Sequence, residues 1–331
     1  MEKLNTILKY RGNLNYKEKH MFIQQAFKYQ SDFWRYIIGV AIVIVFIIAG
    51  QLPLALAIFL EGGFEIAGME QDEMLQLLDS NLNLFLILLS FAFGLAGVFL
   101  AAKVLHNQPI IALTTTRKKI DWGRFFFGFG LVAIFSIAVT FGDYFANPED
   151  YVFNFQPGPF FIMLLIAVIM IPLQTSFEEY FFRGYLLQGV GTLVGNKWVP
   201  LILTSVVFGG LHFFNPEVTK LGNIIMIYYI GTGFMLGIMT LMDEGLELAL
   251  GFHAGNNLIT AVLVTADWTA FQTNSILKDV SDPSMGWDVL IPVLIVYPAF
   301  LFIMSKKYGW TNWKEKLFGK VERPEVLKPS E

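Results

Sequence analysis

Residues 159–188 read PFFIMLLIAVIMIPLQTSFEEYFFRGYLLQ, and this stretch decides the fold class. Its first part is apolar over a length that can cross a bilayer, which requires about 20 helical residues. Its second part carries Glu178, Glu179 and Arg183 among aromatic and aliphatic neighbours. Burying ionisable groups in such surroundings is unfavourable, so these three residues need partners or a function.

Composition extends this reading to the whole chain. Of 331 residues, 55% are hydrophobic, 15% are charged and 33 are Phe. Soluble domains carry about 25% charged residues. The chain has no Cys, which excludes disulfides, thiolate metal ligands and a Cys nucleophile. We expect an all-α polytopic membrane protein with the lipid bilayer as its environment and with no nucleic-acid partner.

Apolar segments predict about eight transmembrane helices around an intramembrane cavity. The fifth and seventh segments are short or polar for spanning helices, and each carries a histidine, His212 or His253. Such deviations are expected where helices line a cavity. The segments cover residues 36–60, 82–102, 125–146, 159–182, 198–213, 221–242, 246–265 and 287–304.

The basic residues predict the orientation of these segments. With eight crossings, only Lys220 and Lys278 of the 23 Lys and Arg residues fall on the side opposite the termini. Lys and Arg accumulate in cytoplasmic loops, so both termini are expected to be cytoplasmic. The absence of Cys and the short tail favour a bacterial inner (plasma) membrane.

A short list of polar residues remains inside the apolar segments. It comprises Glu178, Glu179, Arg183, His212, His253, Asn256 and Asn257. Glu179 and Arg183 are four residues apart, so they can form an ion pair on one helix face. Glu178 is rotated by about 100° from Glu179 and is expected to have no local partner.

Two further motifs supply the histidines. Residues 208–212 read FGGLH, and residues 253–257 read HAGNN. His253 and Asn257 are four residues apart, so both side chains are expected to point into one space. A single histidine of this kind is more often a packing residue. Together with Glu178 and His212, however, these residues indicate a convergent site.

Hydrolysis of a peptide bond without a covalent intermediate fits this set. A carboxylate in a low-dielectric cavity holds its proton more tightly than in water, which suits a general base near neutrality. Glu178 is the predicted base, His212 would hold the attacking water, and His253 and Asn257 would donate hydrogen bonds to the oxyanion. Glu179 and Arg183 would support Glu178. No cofactor is then needed. The alternative is a zinc ion bound by Glu178, His212 and His253.

The three motifs resemble the CAAX prenyl protease and bacteriocin-processing family, called CPBP or Abi. The resemblance rests on Glu-Glu-x-x-x-Arg, Phe-x-x-x-His and His-x-x-x-Asn in this order, and it covers roughly residues 110–265. It implies an intramembrane endopeptidase acting on a peptide or membrane-protein tail. Glu178 and His212 would activate water, and His253 and Asn257 would form the oxyanion hole.

The apolar segments, the basic residues and the resemblance together suggest five parts of the chain. These are a cytoplasmic N-terminal segment (1–35), two transmembrane helices with an acidic external loop (36–106), a CPBP-type protease core (107–265), an external loop with the last transmembrane helix (266–305) and a cytoplasmic tail (306–331).

The end of the tail, residues 320–331, is charged and contains Pro, so we expect it to be disordered. Two other functions stay open: a non-enzymatic bacteriocin-immunity or scaffold protein, and a transporter, although no inverted repeat is visible. The sequence does not indicate the oligomeric state.

Overall fold

The computed structural model describes residues 21–69, 71–282 and 289–323. Within these residues, the main helices are α1 (Phe33–Gly62), α2 (Ser80–His106), α3 (Trp122–Ala146), α4 (Pro157–Val194), α5 (Trp198–Phe214), α6 (Ile225–Asp243), α7 (Glu247–Leu263) and α8 (Tyr297–Tyr308). Short helices occupy Ile23–Lys28, Gly63–Gly68, Gln71–Gln76, Ile110–Thr114, Pro148–Asp150, Pro216–Leu221, Pro292–Val296 and Trp313–Phe318.

The predicted all-α polytopic membrane fold is confirmed. Helices α1, α2, α3, α4 and α6 are long and apolar enough to cross a membrane. Helices α5, α7 and α8 lie on the remaining predicted segments but are shorter. The predicted sixth segment began at residue 221, whereas Leu221 ends a separate short helix and α6 begins at Ile225. Residues 287–288 of the predicted eighth segment lie outside the described residues.

Both described chain ends lie at the same end of the helical bundle. Gln24 Nε2 donates a hydrogen bond to the carbonyl of Glu322 (3.3 Å). The backbone N–H of Val321 donates to the carbonyl of Gly195 (2.9 Å). This arrangement places the two described chain ends close together in space. It also corrects the predicted start of disorder at residue 320, because Val321 is bound. Residues 324–331 and 1–20 lie outside the described part of the chain.

A buried ionic cluster joins loops at this same end. Asp243 at the end of α6 accepts hydrogen bonds from Arg117 Nη2 (2.7 Å), Arg124 Nε (3.0 Å) and Trp310 Nε1 (3.2 Å). Arg117 also pairs with Glu247 at the start of α7 (3.0 Å). These contacts hold the α6–α7 turn against the segment that leads into α3.

The opposite end carries a small sheet that the sequence does not predict. Strands β1 (Tyr151–Phe153), β2 (Val264–Thr265) and β3 (Leu277–Asp279) have the order β1-β3-β2. β1 is antiparallel to β3, and β2 is parallel to it. Because β1 precedes α4 and β2 follows α7, the sheet holds the ends of these two helices together.

Close packing of α3 on α7 positions the inner face of α7. A β-carbon at Gly251 would overlap the carbonyl oxygen of Phe125. A β-carbon at Gly128 would lie 2.6 Å from the carbonyl oxygen of Leu248. Small residues thus let the two backbones approach. The rest of α7, including His253, is thereby directed toward α4.

Candidate active site

Helix α4 changes its helical type at the first motif. The chain is α-helical over Pro157–Glu179, π-helical over Tyr180–Leu186 and α-helical again over Leu187–Val194. Single π-turns within α-helices frequently occur at functional sites. The predicted fourth segment ended at residue 182, so it included neither the whole π-turn nor the last helical part. The ionisable residues therefore lie in the middle of a helix and not at its end.

Glu179 and Arg183 form the ion pair that their spacing predicts. Arg183 Nη1 lies 3.0 Å from Glu179 Oε1, and both side chains are fully buried. Arg183 Nη2 donates a second hydrogen bond to the carbonyl of Gly233 on α6 (3.1 Å). The guanidinium carbon lies 4.2 Å from the ring centre of Phe208 on α5, within the range of cation–π attraction. Arg183 therefore connects α4 to both α5 and α6.

The imidazole of His253 contacts two carboxylates of α4. Nδ1 lies 2.8 Å from Glu179 Oε1, and Nε2 lies 3.4 Å from Glu178 Oε2. This contact joins Glu178 to another helix, α7, and does not bear on the expectation that Glu178 has no local partner on α4. The two nitrogens of an imidazole lie on different edges of the ring. One ring can thus contact two adjacent carboxylates that diverge from their helix.

Hydrogen bonding assigns the proton positions on His253. Glu179 Oε1 accepts from Arg183 and is a carboxylate oxygen, so Nδ1 of His253 carries the proton between them. In the neutral ring Nε2 then holds a lone pair toward Glu178. That contact is attractive once a proton sits on either Nε2 or the Glu178 carboxyl group. Nε2 is therefore the nitrogen of His253 that remains for a substrate.

Glu178 is the more accessible of the two adjacent carboxylates. Its residue is 8% exposed, whereas Glu179 is 0% exposed. Glu179 already accepts hydrogen bonds from Arg183 and His253. Among the described residues, Glu178 has one ion-pair contact, with His253 Nε2, and it is longer, at 3.4 Å. The arrangement thus leaves Glu178 as the carboxylate with access to a reacting molecule.

His212 lies at the end of α5 with one ring nitrogen occupied. Its Nδ1 lies 2.9 Å from the carbonyl oxygen of Phe208. A carbonyl only accepts, so Nδ1–H is the donor, and Nε2 of the neutral ring can accept a proton. The ring stacks on Tyr229 of α6 at 4.4 Å between centres with 23° between planes. Sequence reasoning missed Tyr229, since nothing in the sequence places α6 beside His212.

Phe208 separates the two histidines. Its ring centre lies 5.0 Å from that of His212 and 6.1 Å from that of His253. Arg183 of the first motif also lies over the Phe208 ring. Phe208, which belongs to the second motif, therefore packs against residues of the first and third motifs. It provides an apolar wall between the imidazoles.

Asn257 belongs to a short series of amides. Its Nδ2 donates to Oε1 of Gln174 on α4 (3.2 Å), and its Oδ1 accepts from Nδ2 of Asn256 (3.1 Å). Gln174 is buried and stands four residues before Glu178. Sequence reasoning missed Gln174, although the same four-residue spacing that linked Glu179 to Arg183 places it on the face of Glu178.

The described residues contain no group of three or more His, Cys, Asp or Glu side chains that could hold a metal ion. Glu178, His212 and His253, the ligands of the zinc alternative, are therefore not gathered in a metal-binding arrangement.

The fold and the site define a class: a polytopic membrane protein with carboxylates, imidazoles and amides gathered inside its helical bundle. A family model described as Type II CAAX prenyl endopeptidase Rce1-like matches residues 157–259. "Uncharacterized protein YyaK" of Bacillus subtilis (strain 168) is 30% identical over 288 residues, which cover 84% of this chain and 94% of the relative. The chain belongs to the Rce1-like CAAX prenyl endopeptidase family.

The predicted family is thereby confirmed. Membership supports a CAAX-protease-like intramembrane endopeptidase and implies protease activity. The matched range runs from the start of α4 into α7 and contains all three motifs. No solved structure matches the chain.

Proposed function

We propose that the protein hydrolyses a peptide bond near the membrane with a water molecule activated by Glu178 and His212. The observation that carries the proposal is the difference between the surroundings of the two adjacent glutamates. Glu179 is fully buried and bound to Arg183 and His253, whereas Glu178 is partly accessible and has one long contact. This difference supports one structural carboxylate and one reactive carboxylate.

The proposed reaction begins with a water held between Glu178 and His212 Nε2. The water oxygen attacks the carbonyl carbon of the scissile peptide, and its proton passes to Glu178. The tetrahedral intermediate carries negative charge on the former carbonyl oxygen. Glu178 then returns the proton to the leaving amide nitrogen, the C–N bond breaks, and the products are a carboxylic acid and an amine.

His253 and Asn257 are proposed to stabilise the oxyanion. Nδ1 of His253 already donates to Glu179, so a hydrogen bond to substrate would come from Nε2, which can donate only when the ring carries a second proton. One N–H of Asn257 is occupied by Gln174 and the other is available. Loss of one oxyanion donor commonly lowers the rate by about 10²–10³-fold.

The substrate is proposed to be a peptide or the tail of a membrane protein. Support comes from the family description, a CAAX prenyl endopeptidase, and from the position of the site within membrane helices. We propose a bacterial plasma-membrane location with both termini cytoplasmic. The distribution of Lys and Arg supports this orientation, as does the contact between the two described chain ends.

Cleavage of a peptide library by the protein in liposomes tests the proposal. We expect wild type to cleave some peptides and to keep its rate after treatment with a chelator. Loss of cleavage that Zn²⁺ restores would show the zinc-dependent mechanism instead. Binding of peptides without any cleavage would favour the scaffold function and contradict the proposal.

His212→Ala provides the residue-level test. We expect it to remove cleavage while the protein stays folded, because Nε2 of His212 is proposed to hold the water. Glu65→Gln is the control, since Glu65 is exposed in the short helix after α1. Equal rates for His212→Ala and wild type would show that His212 has no part in activating water.

A further inference from the structure

Gln174 faces the candidate site from the turn of α4 that precedes Glu178. It is 3% exposed, so its amide has little contact with solvent. Its Oε1 accepts a hydrogen bond from Asn257 on α7. The Glu178 carboxylate faces His253, which also lies on α7. Gln174 and Glu178 are four residues apart, as are His253 and Asn257. The two helices therefore place two facing pairs side by side.

The three amides restrict how the Asn257 side chain can be oriented. Its oxygen accepts from Asn256, and its nitrogen donates to Gln174. With the Gln174 and Asn256 amides kept in their observed orientations, a reversed Asn257 amide would place its oxygen against Gln174 Oε1 and its nitrogen against Asn256 Nδ2. Both contacts would then be repulsive. The observed order uses one N–H of Asn257 and leaves the second one without a hydrogen-bond partner among the described residues.

We propose that Gln174 is a positioning residue that holds the free N–H of Asn257 toward the oxyanion. This inference rests on the proposed function, in which Asn257 is an oxyanion donor. Such a donor is effective only when it is fixed before the charge develops. Gln174 supplies that fixation from the helix that carries the general base.

Gln174→Leu tests the role, because Leu keeps much of the side-chain volume and removes the acceptor. We expect kcat to fall by about 10–100-fold, by analogy with the loss of hydrogen-bond partners that orient metal ligands. KM should change little, since the oxyanion forms only after substrate has bound. Thr175→Val is the matched control: Thr175 is buried beside Gln174, and its hydroxyl contacts only backbone carbonyls of α4.

A double-mutant cycle separates positioning from a general structural effect. If Gln174 acts through Asn257, Gln174→Leu should cause almost no further loss of kcat in an Asn257→Ala background. Gln174→Glu should retain most of kcat because a carboxylate oxygen also accepts from Asn257. Its negative charge one turn from Glu178 should move the acidic limb of the pH–rate profile to higher pH.

The outcomes distinguish the inference from the proposed function. Multiplicative losses in the Gln174→Leu/Asn257→Ala double variant, with activity still dependent on Glu178, would overturn the role of Gln174 alone. A Gln174→Glu variant as slow as Gln174→Leu at every pH would overturn it as well. Wild type that cleaves no peptide would overturn the proposed function, and the role of Gln174 with it.

Discussion

Replacing Arg183 by Met tests the buried ion pair at the centre of the bundle. The substitution removes the partner of Glu179, the donor to the Gly233 carbonyl and the cation over Phe208. Met occupies part of the same volume but cannot compensate a negative charge. Glu179 would keep His253 Nδ1 as its remaining partner in the described structure.

The expected loss of unfolding free energy is about 3–5 kcal/mol, the range for removing one partner of a buried ion pair. Most of this loss comes from the unpaired charge of Glu179 and not from the lost contact itself. Neutralising that charge should therefore restore stability. We expect the double variant Glu179→Gln/Arg183→Met to recover at least half of the loss, since Gln can still accept from His253.

Unfolding in detergent micelles titrated with dodecyl sulfate, followed by the fluorescence of the 7 Trp residues, measures these differences. Lys278→Met is the control, because Lys278 pairs with Asp267 at the surface, where an ion pair contributes about 0–1 kcal/mol. A loss below about 1 kcal/mol for Arg183→Met would refute the reasoning. So would a double variant no more stable than the single one.

Two further predictions concern packing and pH. Gly251→Ala should destabilise the protein by about 1–3 kcal/mol, since the added β-carbon overlaps the carbonyl of Phe125. Gly130→Ala on α3 is the control, because a β-carbon there meets open space. Equal losses of unfolding free energy for the two variants would contradict the close packing of α3 on α7. Burial raises the pKa of the Glu244 carboxyl, in the turn after α6, above its ordinary value of 4.5. Its stabilising contribution is therefore complete below pH 4.5 and is lost as pH rises through the higher folded-state pKa. As pH rises through this range, the melting temperature of Glu244→Gln should fall less than that of wild type. The same pH dependence of the melting temperature in both proteins would contradict the prediction.

Local spacing explains which part of the site can be predicted from the sequence. Glu179 and Arg183 lie on one helix, so their pairing follows from helical geometry alone. The contact between His253 and Glu179 joins residues 74 positions apart and depends on how α7 packs against α4. No local rule supplies that packing. The π-turn over Tyr180–Leu186 is also not predicted from the sequence.

In the fold too, features that follow from the local sequence can be predicted, whereas features that depend on packing between distant residues cannot. Apolar runs predict the main helices, since burial in lipid requires continuous apolar surface. Their ends are harder to predict: α4 continues to Val194 because its last part packs inside the protein, where Gln188 is fully buried among hydrogen-bond partners. Strands β1, β2 and β3 are only two or three residues long and pair across long chain separations.

The rate of peptide cleavage by Glu178→Gln tests the central claim most directly. Gln keeps the shape of the side chain but cannot take a proton from water. We expect kcat to fall by about 10²–10⁴-fold relative to wild type, the usual contribution of a general base, with unfolding stability preserved. A Glu178→Gln variant with kcat close to that of wild type would contradict the account.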